Sequence, residues 1–322
     1  NGKNAIQTNV SAQPKYIVSG IGGKPSIQCK GGTYLTCGNN FTMNGNYTFI
    51  VLFKAGPTGT FGTVFAKSIN ANGGIYLGHT TDGTYNLFAD VEQIQLPTKP
   101  KILNKNLILS GVFKTRTDTV KLYRNNVLDH FYKPGGAIDF AGSNTSAFDI
   151  GTTAGGLPLD GQIAEMYIFN EASPDSNRNF LENYLLSKYA PSVNLGADIN
   201  TCASNYNISA NQPYFEKYLW SNGDTMPSIT VSASGYYSVR ATDIFGRFSF
   251  DTLLVNFDTI NFKPNLGIDT TICFGQNSVL NAGPKHLSYI WSTGDTSNTL
   301  SINQTGFYHV SVKNCKNNTY KD

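Results

Sequence analysis

One stretch of this chain recurs 71 positions further on. Asn194-Leu195-Gly196 matches Asn265-Leu266-Gly267, and Asp198 matches Asp269. Cys202 matches Cys273, Trp220 matches Trp291, and Gly235 matches Gly306. The offset is the same at every one of these positions, so two copies with no residue gained or lost between them are expected. The chain's only two tryptophans fall at equivalent places. Two small copies of one module therefore follow a larger, different N-terminal segment. Modules in series are an arrangement that extracellular and cell-surface proteins use for reach.

With 322 residues the chain is too long for one ordinary core. The repeat divides it into 1–192, 193–262 and 263–322. Charged residues make up only 14% and the net charge is +3, with Lys and Arg dispersed. No basic stripe marks a nucleic-acid partner. Asn, Gly, Ser and Thr take the place of Lys and Glu, which favours strands and turns. No run of 18 apolar residues occurs, so no transmembrane segment is expected. The chain opens on Asn1-Gly2-Lys3 without a signal peptide, so an export signal is expected to have been removed or to lie outside this sequence.

The first 170 positions read as strand after strand. Tyr47 to Lys54 is β-branched and aromatic, an apolar run suited to burial on both faces. Thr63 to Ala66, Gly74 to Leu77, Asn86 to Asp90, Asn106 to Lys114 and Asp160 to Phe169 follow. Val120 to Tyr123 and Val127 to His130 flank Asn125-Asn126, residues that tolerate the positive φ of a type I′ turn. At Ser173-Pro174-Asp175 the pattern changes to an N-cap residue, a Pro at the first helical position and an early acid. Phe180, Leu181, Tyr184, Leu185 and Lys188 then predict one amphipathic helix of about four turns. Ala190-Pro191-Ser192 ends it.

Each later copy reads as six or seven short strands in an immunoglobulin-like pattern, with Trp220 and Trp291 as core plugs. The first copy continues into Asp251 to Phe257, a final strand, and Asp322 stands at the position of Asp251. The second copy is therefore expected to lack its last strand, and the chain to be a piece of a longer protein. Of the five cysteines, Cys273 and Cys315 share a repeat and read as a disulfide worth about 4 kcal/mol in the chain-entropy model. Cys29 and Cys37 flank the turn Lys30-Gly31-Gly32 and read either as a hairpin staple or as small buried thiols. Cys202 is left without a partner, because Arg247 stands near where one is needed. This usage favours an oxidising compartment.

The block from Gln7 to Asn39, followed by Tyr47 to Lys54, resembles the opening of laminin-G-like (concanavalin-A-like) jelly rolls in exported Bacteroidota proteins. The stretch from Leu159 to Ala190 resembles their ending. The Leu-Gly-x-Asp, Cys, Trp-Ser-x-Gly and Gly-x-Tyr pattern of both copies resembles PKD-like or immunoglobulin-like modules of gliding-associated surface proteins. The resemblance implies an all-β chain: a jelly-roll β-sandwich with one C-terminal helix, then two immunoglobulin-like sandwiches. It also implies an extracellular or cell-surface location after export across the outer membrane, as type IX secretion cargo. Laminin-G-like domains hold Ca²⁺ at the sheet rim, and Asp149 and Asp160 stand near where such ligands lie, either as ligands or as turn caps.

Catalysis is not expected. Glycoside hydrolysis needs two placed carboxylates. None of the five Glu (Glu92, Glu165, Glu171, Glu182 and Glu216) falls in a Glu-x-Asp-x-x-Glu pattern of alternating acids on a strand. His79, His130, His286 and His309 are scattered, without metal-ligand spacing. For sugar binding, Tyr76, His79, Asp82 and Tyr85 cluster around one loop and read either as a platform or as strand core. The resulting expectation is a non-catalytic adhesin, its jelly roll gripping a glycan or a surface protein beyond two spacers. Two alternatives are an accessory carbohydrate-binding region of a larger secreted polysaccharide-degrading enzyme and a structural component that partners outer-membrane secretion or anchoring proteins.

Overall fold

The computed structural model describes residues 4–39, 45–56, 61–68, 74–81, 84–89, 92–94, 103–114, 119–133, 146–153, 156–257, 263–273, 275–284, 286–314 and 317–322. The chain forms two compact units. One comprises Asn1–Val193 with Asn211–Leu219 and Arg240–Phe250; the other comprises Asn194–Ala210, Trp220–Val239 and Asp251–Asp322.

The first unit is a jelly-roll β-sandwich. One sheet contains β1 (Lys15–Ile17), β2 (Ser26–Cys29), β4 (Tyr47–Ala55), β9 (Asn106–Lys114), β10 (Thr119–Arg124), β11 (Val127–Tyr132) and β13 (Gly161–Phe169), in the order β1-β2-β13-β4-β9-β10-β11. The other contains β3 (Leu35–Thr36), β5 (Gly62–Ser68), β6 (Gly74–His79), β7 (Tyr85–Ala89), β8 (Glu92–Ile94) and β12 (Asp149–Ile150), in the order β3-β12-β5-β6-β7-β8. The apolar run of β4 is explained by burial on both faces. Tyr47, Phe49, Val51 and Phe53 pack between the sheets, where Phe49 meets Phe65 of β5 edge-to-face at 5.2 Å. Ile50 and Leu52 face the other way, against Leu185, Leu186 and Tyr189 of the helix α1 (Asp175–Tyr189). Each fully buried side chain of this size contributes about 1.5–3 kcal/mol.

The β10–β11 connection adopts positive φ at Asn125 (48°) and Asn126 (69°), as the Asn-Asn pair suggests. The helix departs from expectation in two ways. It starts at Asp175, with Pro174 rather than Ser173 in the N-cap position and no side-chain cap. Its buried face is Arg178, Glu182, Leu185, Leu186 and Tyr189, while Phe180 and Tyr184 are exposed. The reason is a charge pair. Arg178 donates to Glu182 beneath the sheet, so two charged residues occupy the inward stripe that apolar periodicity assigns to others. Arg247, which stands near the place of the missing cysteine, donates to the carbonyls of Leu186 (3.0 Å) and Ala190 (2.7 Å). Its cation thereby sits at the helix C-terminus, where the Leu186 carbonyl also accepts from Ala190 N–H at 3.0 Å.

The described residues of the first repeat hold β14 (Ile199–Thr201), β15 (Tyr206–Ser209), β16 (Phe215–Trp220), β17 (Ser228–Val231), β18 (Gly235–Asp243) and β19 (Phe248–Phe257). They form the sheets β14-β19-β18-β16 and β15-β17. The described residues of the second repeat hold β20 (Ser278–Asn281), β21 (Ser288–Trp291), β22 (Thr299–Ile302), β23 (Val310–Lys313) and β24 (Thr319–Lys321), in the sheets β20-β22 and β21-β23-β24. Trp220 and Trp291 are each 2% exposed and donate Nε1–H to the carbonyls of Met226 and Ser297, both at 2.8 Å.

The constant offset does not survive. Ile208 faces Ile229 in the first repeat, and Leu280 faces Leu300 in the second. Leu300 lies 71 positions after Ile229, but Leu280 lies 72 after Ile208. One residue enters before β20 and one is lost before β21. A one-residue slip would turn a strand's apolar set outward, so pairing rather than numbering fixes the match.

Candidate functional site

A cleft of about 450 Å³ opens at the β3–β12 end of the six-stranded sheet. Tyr34, Thr36, Asp149, Thr152, Thr153 and Pro158 are among its walls. Local sequence builds it. Phe148 stacks on Phe65 and Ile150 packs on the core, so strand alternation turns Asp149 to the outer face. Asp149 pairs with Thr36 of β3 and Ala66 of β5, which puts Thr36 beside it. Gly151, at φ 87°, then reverses the chain. Gly151 N–H bonds the Val64 carbonyl, and bonds from Gly156 N–H to the Thr153 carbonyl and from Leu159 N–H to the Gly151 carbonyl tie 156–159 to 151–153. On the opposite wall, Lys30 N–H bonds Thr33 Oγ1 at 2.8 Å and Tyr34 N–H bonds the Ala12 carbonyl at 2.9 Å.

The cleft offers one carboxylate, three threonine hydroxyls and one phenol on an aromatic ring. Asp149 and Thr152 are nearly buried (8% and 7% exposed), while Tyr34, Thr36 and Thr153 are half-buried. Thr36 Oγ1 accepts from Gly38 N–H at 3.1 Å, and Thr152 Oγ1 donates to the Thr153 carbonyl at 3.2 Å. A ligand rich in hydroxyl groups matches this set, because each wall group can donate, accept or both. Sequence reading singled out Asp149 alone. Tyr34, Thr152 and Thr153 lie in unpatterned loops and Thr36 ends the two-residue strand β3; they come together only through the β3–β12 pairing.

The platform expected at Tyr76, His79 and Tyr85 is not formed. These side chains are 8%, 1% and 3% exposed, and Asp82 lies outside the described residues. Tyr85 Oη instead donates to Asp129 of β11, which also pairs with Arg124 at 2.9 Å. Burial pushes the Tyr85 phenol well up, with the Asp129 hydrogen bond adding to it. Burial likewise depresses the His79 imidazole, although the Thr80 carbonyl and the Asp160 charge act the other way. Asp160 is thus a neighbour of His79, and its carbonyl accepts from Gly56 N–H at 2.5 Å. Asp149 pairs with Ala66, whereas His79 pairs with Gly62, four positions along β5. Asp149 lines the cleft, and Asp160 follows Leu159, whose N–H bonds the Gly151 carbonyl at 2.8 Å. Among the described residues no three of His, Cys, Asp and Glu converge.

The expected cysteine pairs are not formed either. Cys29, Cys37 and Cys273 are free thiols. Cys29 ends a strand of the seven-stranded sheet, while Cys37 follows β3 of the six-stranded sheet and bonds the Phe148 carbonyl through its N–H. The residues between them cross from sheet to sheet instead of making a hairpin. Burial pushes the Cys29 thiol up to about 12, and burial followed by the Asp149 charge raises that of Cys37. Cys273 is exposed and Cys315 lies outside the described residues. Cys202, expected to be unpaired, is disulfide-bonded. Spacing within a repeat does not fix connectivity; the approach of the Cα atoms does.

No known family profile and no curated protein sequence matches the chain. Its structure is similar to domain 4 of AbnA, a GH43 extracellular arabinanase from Geobacillus stearothermophilus, in complex with arabinotriose: TM-score 0.42, 16% identity, 53% of this chain and 81% of that one. It is similar to the Ruminococcus gnavus IT-sialidase CBM40 bound to alpha2,3 sialyllactose, with TM-score 0.38 and 12% identity over 43% of this chain and 83% of that one. It is also similar to the botulinum neurotoxin serotype D binding domain, with TM-score 0.44 and 12% identity over 96% of this chain and 77% of that one.

Proposed function

We propose that this chain is a non-catalytic binding protein of the cell surface or extracellular space, and that its jelly roll grips a neutral glycan in the cleft at Asp149. The carrying observation is the wall chemistry: Asp149 among the hydroxyls of Tyr34, Thr36, Thr152 and Thr153, in about 450 Å³. A volume of that size suits one or two sugar rings. A carboxylate accepts hydrogen bonds from adjacent sugar hydroxyls, and the Tyr34 ring offers an apolar face to a pyranose. Asp149 is the one carboxylate among the named walls, whereas hydrolysis of a glycosidic bond uses two. The segments 193–262 and 263–322 serve in this reading as spacers that hold the head away from its anchor.

The test is a glycan array probed with residues 1–322, followed by titration of the best ligand. Asp149→Ala and Tyr34→Ala are each expected to weaken binding at least about tenfold, equivalent to 1.4 kcal/mol, with an unchanged thermal midpoint. Retention of no glycan, full affinity in both variants, or release of cleaved sugar by the parent chain would sink the reading.

A further inference from the structure

The turn that joins β18 to β19 has an equivalent after β23, and the two are built alike. Asp243 N–H bonds the Arg247 carbonyl at 2.9 Å, and Asn314 N–H bonds the Asn318 carbonyl at 3.0 Å. Gly246 N–H and Asn317 N–H return to the Asp243 and Asn314 carbonyls, both at 2.9 Å. The Asp243 and Asn314 side chains are buried and accept from the Arg247 and Asn318 amides, again at 2.9 Å in each. Gly246 and Asn317 both adopt positive φ, 81° and 61°. A buried side-chain acceptor and a left-handed fourth residue therefore set the turn, and its other side chains are free to differ.

They do differ. Ile244, Phe245 and Arg247 stand in the first copy where Cys315, Lys316 and Asn318 stand in the second. In the first copy this tip belongs to the compact unit of the jelly roll. Ile244 and Phe245 pack against the cluster that holds Ile50 of β4 and Leu185, Leu186 and Tyr189 of α1. Arg247 reaches the carbonyls of Leu186 and Ala190 from the same side. Asn125 Nδ2 donates to the Phe245 carbonyl at 3.5 Å, so the β10–β11 turn meets the tip as well. Val193 N–H bonds Ser249 Oγ at 3.0 Å. The receiving surface leaves room for the contact only because two of its residues are glycines. An added Cβ at Gly22 would lie 2.4 Å from the Tyr189 carbonyl oxygen and 3.3 Å from Ile244 Cδ1, and one at Gly23 would lie 2.6 Å from Pro213 Cγ.

We infer that the tip of the first repeat is a docking element whose partner is the C-terminal end of α1. Ile244 and Phe245 supply the apolar contact, and the Arg247 guanidinium meets the negative end of the helix dipole. Residues 211–219 and 240–250 complete the jelly roll, which opens and closes with them as one cooperative unit. The head of this protein therefore extends past residue 193 into the first repeat, whatever the cleft at Asp149 binds. The second copy keeps the turn without these docking side chains, so the shared module carries an adaptable tip on a constant frame.

The experiment is amide hydrogen exchange on residues 1–322, read by mass spectrometry. A tip variant combines Ile244→Ser, Phe245→Lys and Arg247→Asn and keeps the turn. Its exchange is expected to quicken at least about tenfold in residues 185–190 and in β4 alike. Phe245→Ala, which leaves Arg247 in place, is expected to quicken the same two stretches by less. Tryptophan emission of both variants is expected to stay at the parent's wavelength, because Asn318 sustains the same turn in the second copy. Asn318→Ala is expected to leave 185–190 and β4 at the parent's rates. Parent rates at 185–190 in the tip variant, faster exchange there without β4, or an equal response to Asn318→Ala would overturn the proposal. A red-shifted tip variant with Phe245→Ala silent would also overturn it, by tracing the loss to unfolding of the repeat itself.

Discussion

Glu182 accepts a hydrogen bond from Ser110 Oγ at 2.5 Å, joining a fully buried helix carboxylate to the middle of the seven-stranded sheet. Its other oxygen accepts from the Asn126 N–H at 2.6 Å, and Arg178 pairs with it one helical turn away. The Arg178 guanidinium also covers the Tyr123 ring, 3.3 Å from its centroid. Helix, sheet and the β10–β11 turn are thus tied by one ion pair.

Glu182→Ala leaves Arg178, 3% exposed, without its buried carboxylate and with only the exposed Asp175 at 3.9 Å. The expected cost is about 3–5 kcal/mol. Replacing both residues, as Arg178→Met with Glu182→Leu, is expected to cost less than Glu182→Ala alone. Urea unfolding of the three variants checks the order.

Gly151→Ala is expected to destabilise by more than about 2 kcal/mol. The residue sits at φ 87°, and an added Cβ would lie 2.6 Å from the Cys29 sulfur. Adding Cys29→Ala removes the clash but not the backbone strain, so it is expected to restore only part of the loss. Thermal midpoints of the single and double variants separate the two causes.

Acid is expected to weaken the jelly roll through His79. Its imidazole is held below the ordinary 6.5, by burial first, with the Thr80 carbonyl and Asp160 opposing. Below about pH 6.5 the unfolded chain takes up a proton that the native state resists, so stability is full above that pH and falls until the native value is reached. His79→Gln is expected to flatten this limb in denaturation midpoints measured from about pH 7 to about pH 5. A remainder is expected from His130, which burial also lowers despite the nearby Asp129 charge.

Trp220→Phe and Trp291→Phe each remove a buried N–H and leave the carbonyl of Met226 or Ser297 without that donor. A loss of about 1–3 kcal/mol is expected in each. Each variant retains one tryptophan, so fluorescence then follows the unfolding of the other repeat alone.

Sequence by itself determined the strand-rich pattern, the single helix after it and the two equivalent buried tryptophans. The apolar run of β4, the Asn125-Asn126 turn and the paired tryptophans are local patterns, set by which side chains fit a pleated, buried surface. Only the tertiary structure decided what meets what. The cleft joins Tyr34 and Thr36 to Asp149, Thr152 and Thr153, more than 100 positions away, because β12 pairs with β3. The inward phase of α1 was hidden because a satisfied Arg178–Glu182 pair reads as polar surface. Cys29 and Cys37 are eight positions apart in sequence, yet they belong to facing sheets. Local chemistry fixes the periodicity of an element; register, facing and connectivity depend on packing between elements that the chain order leaves open.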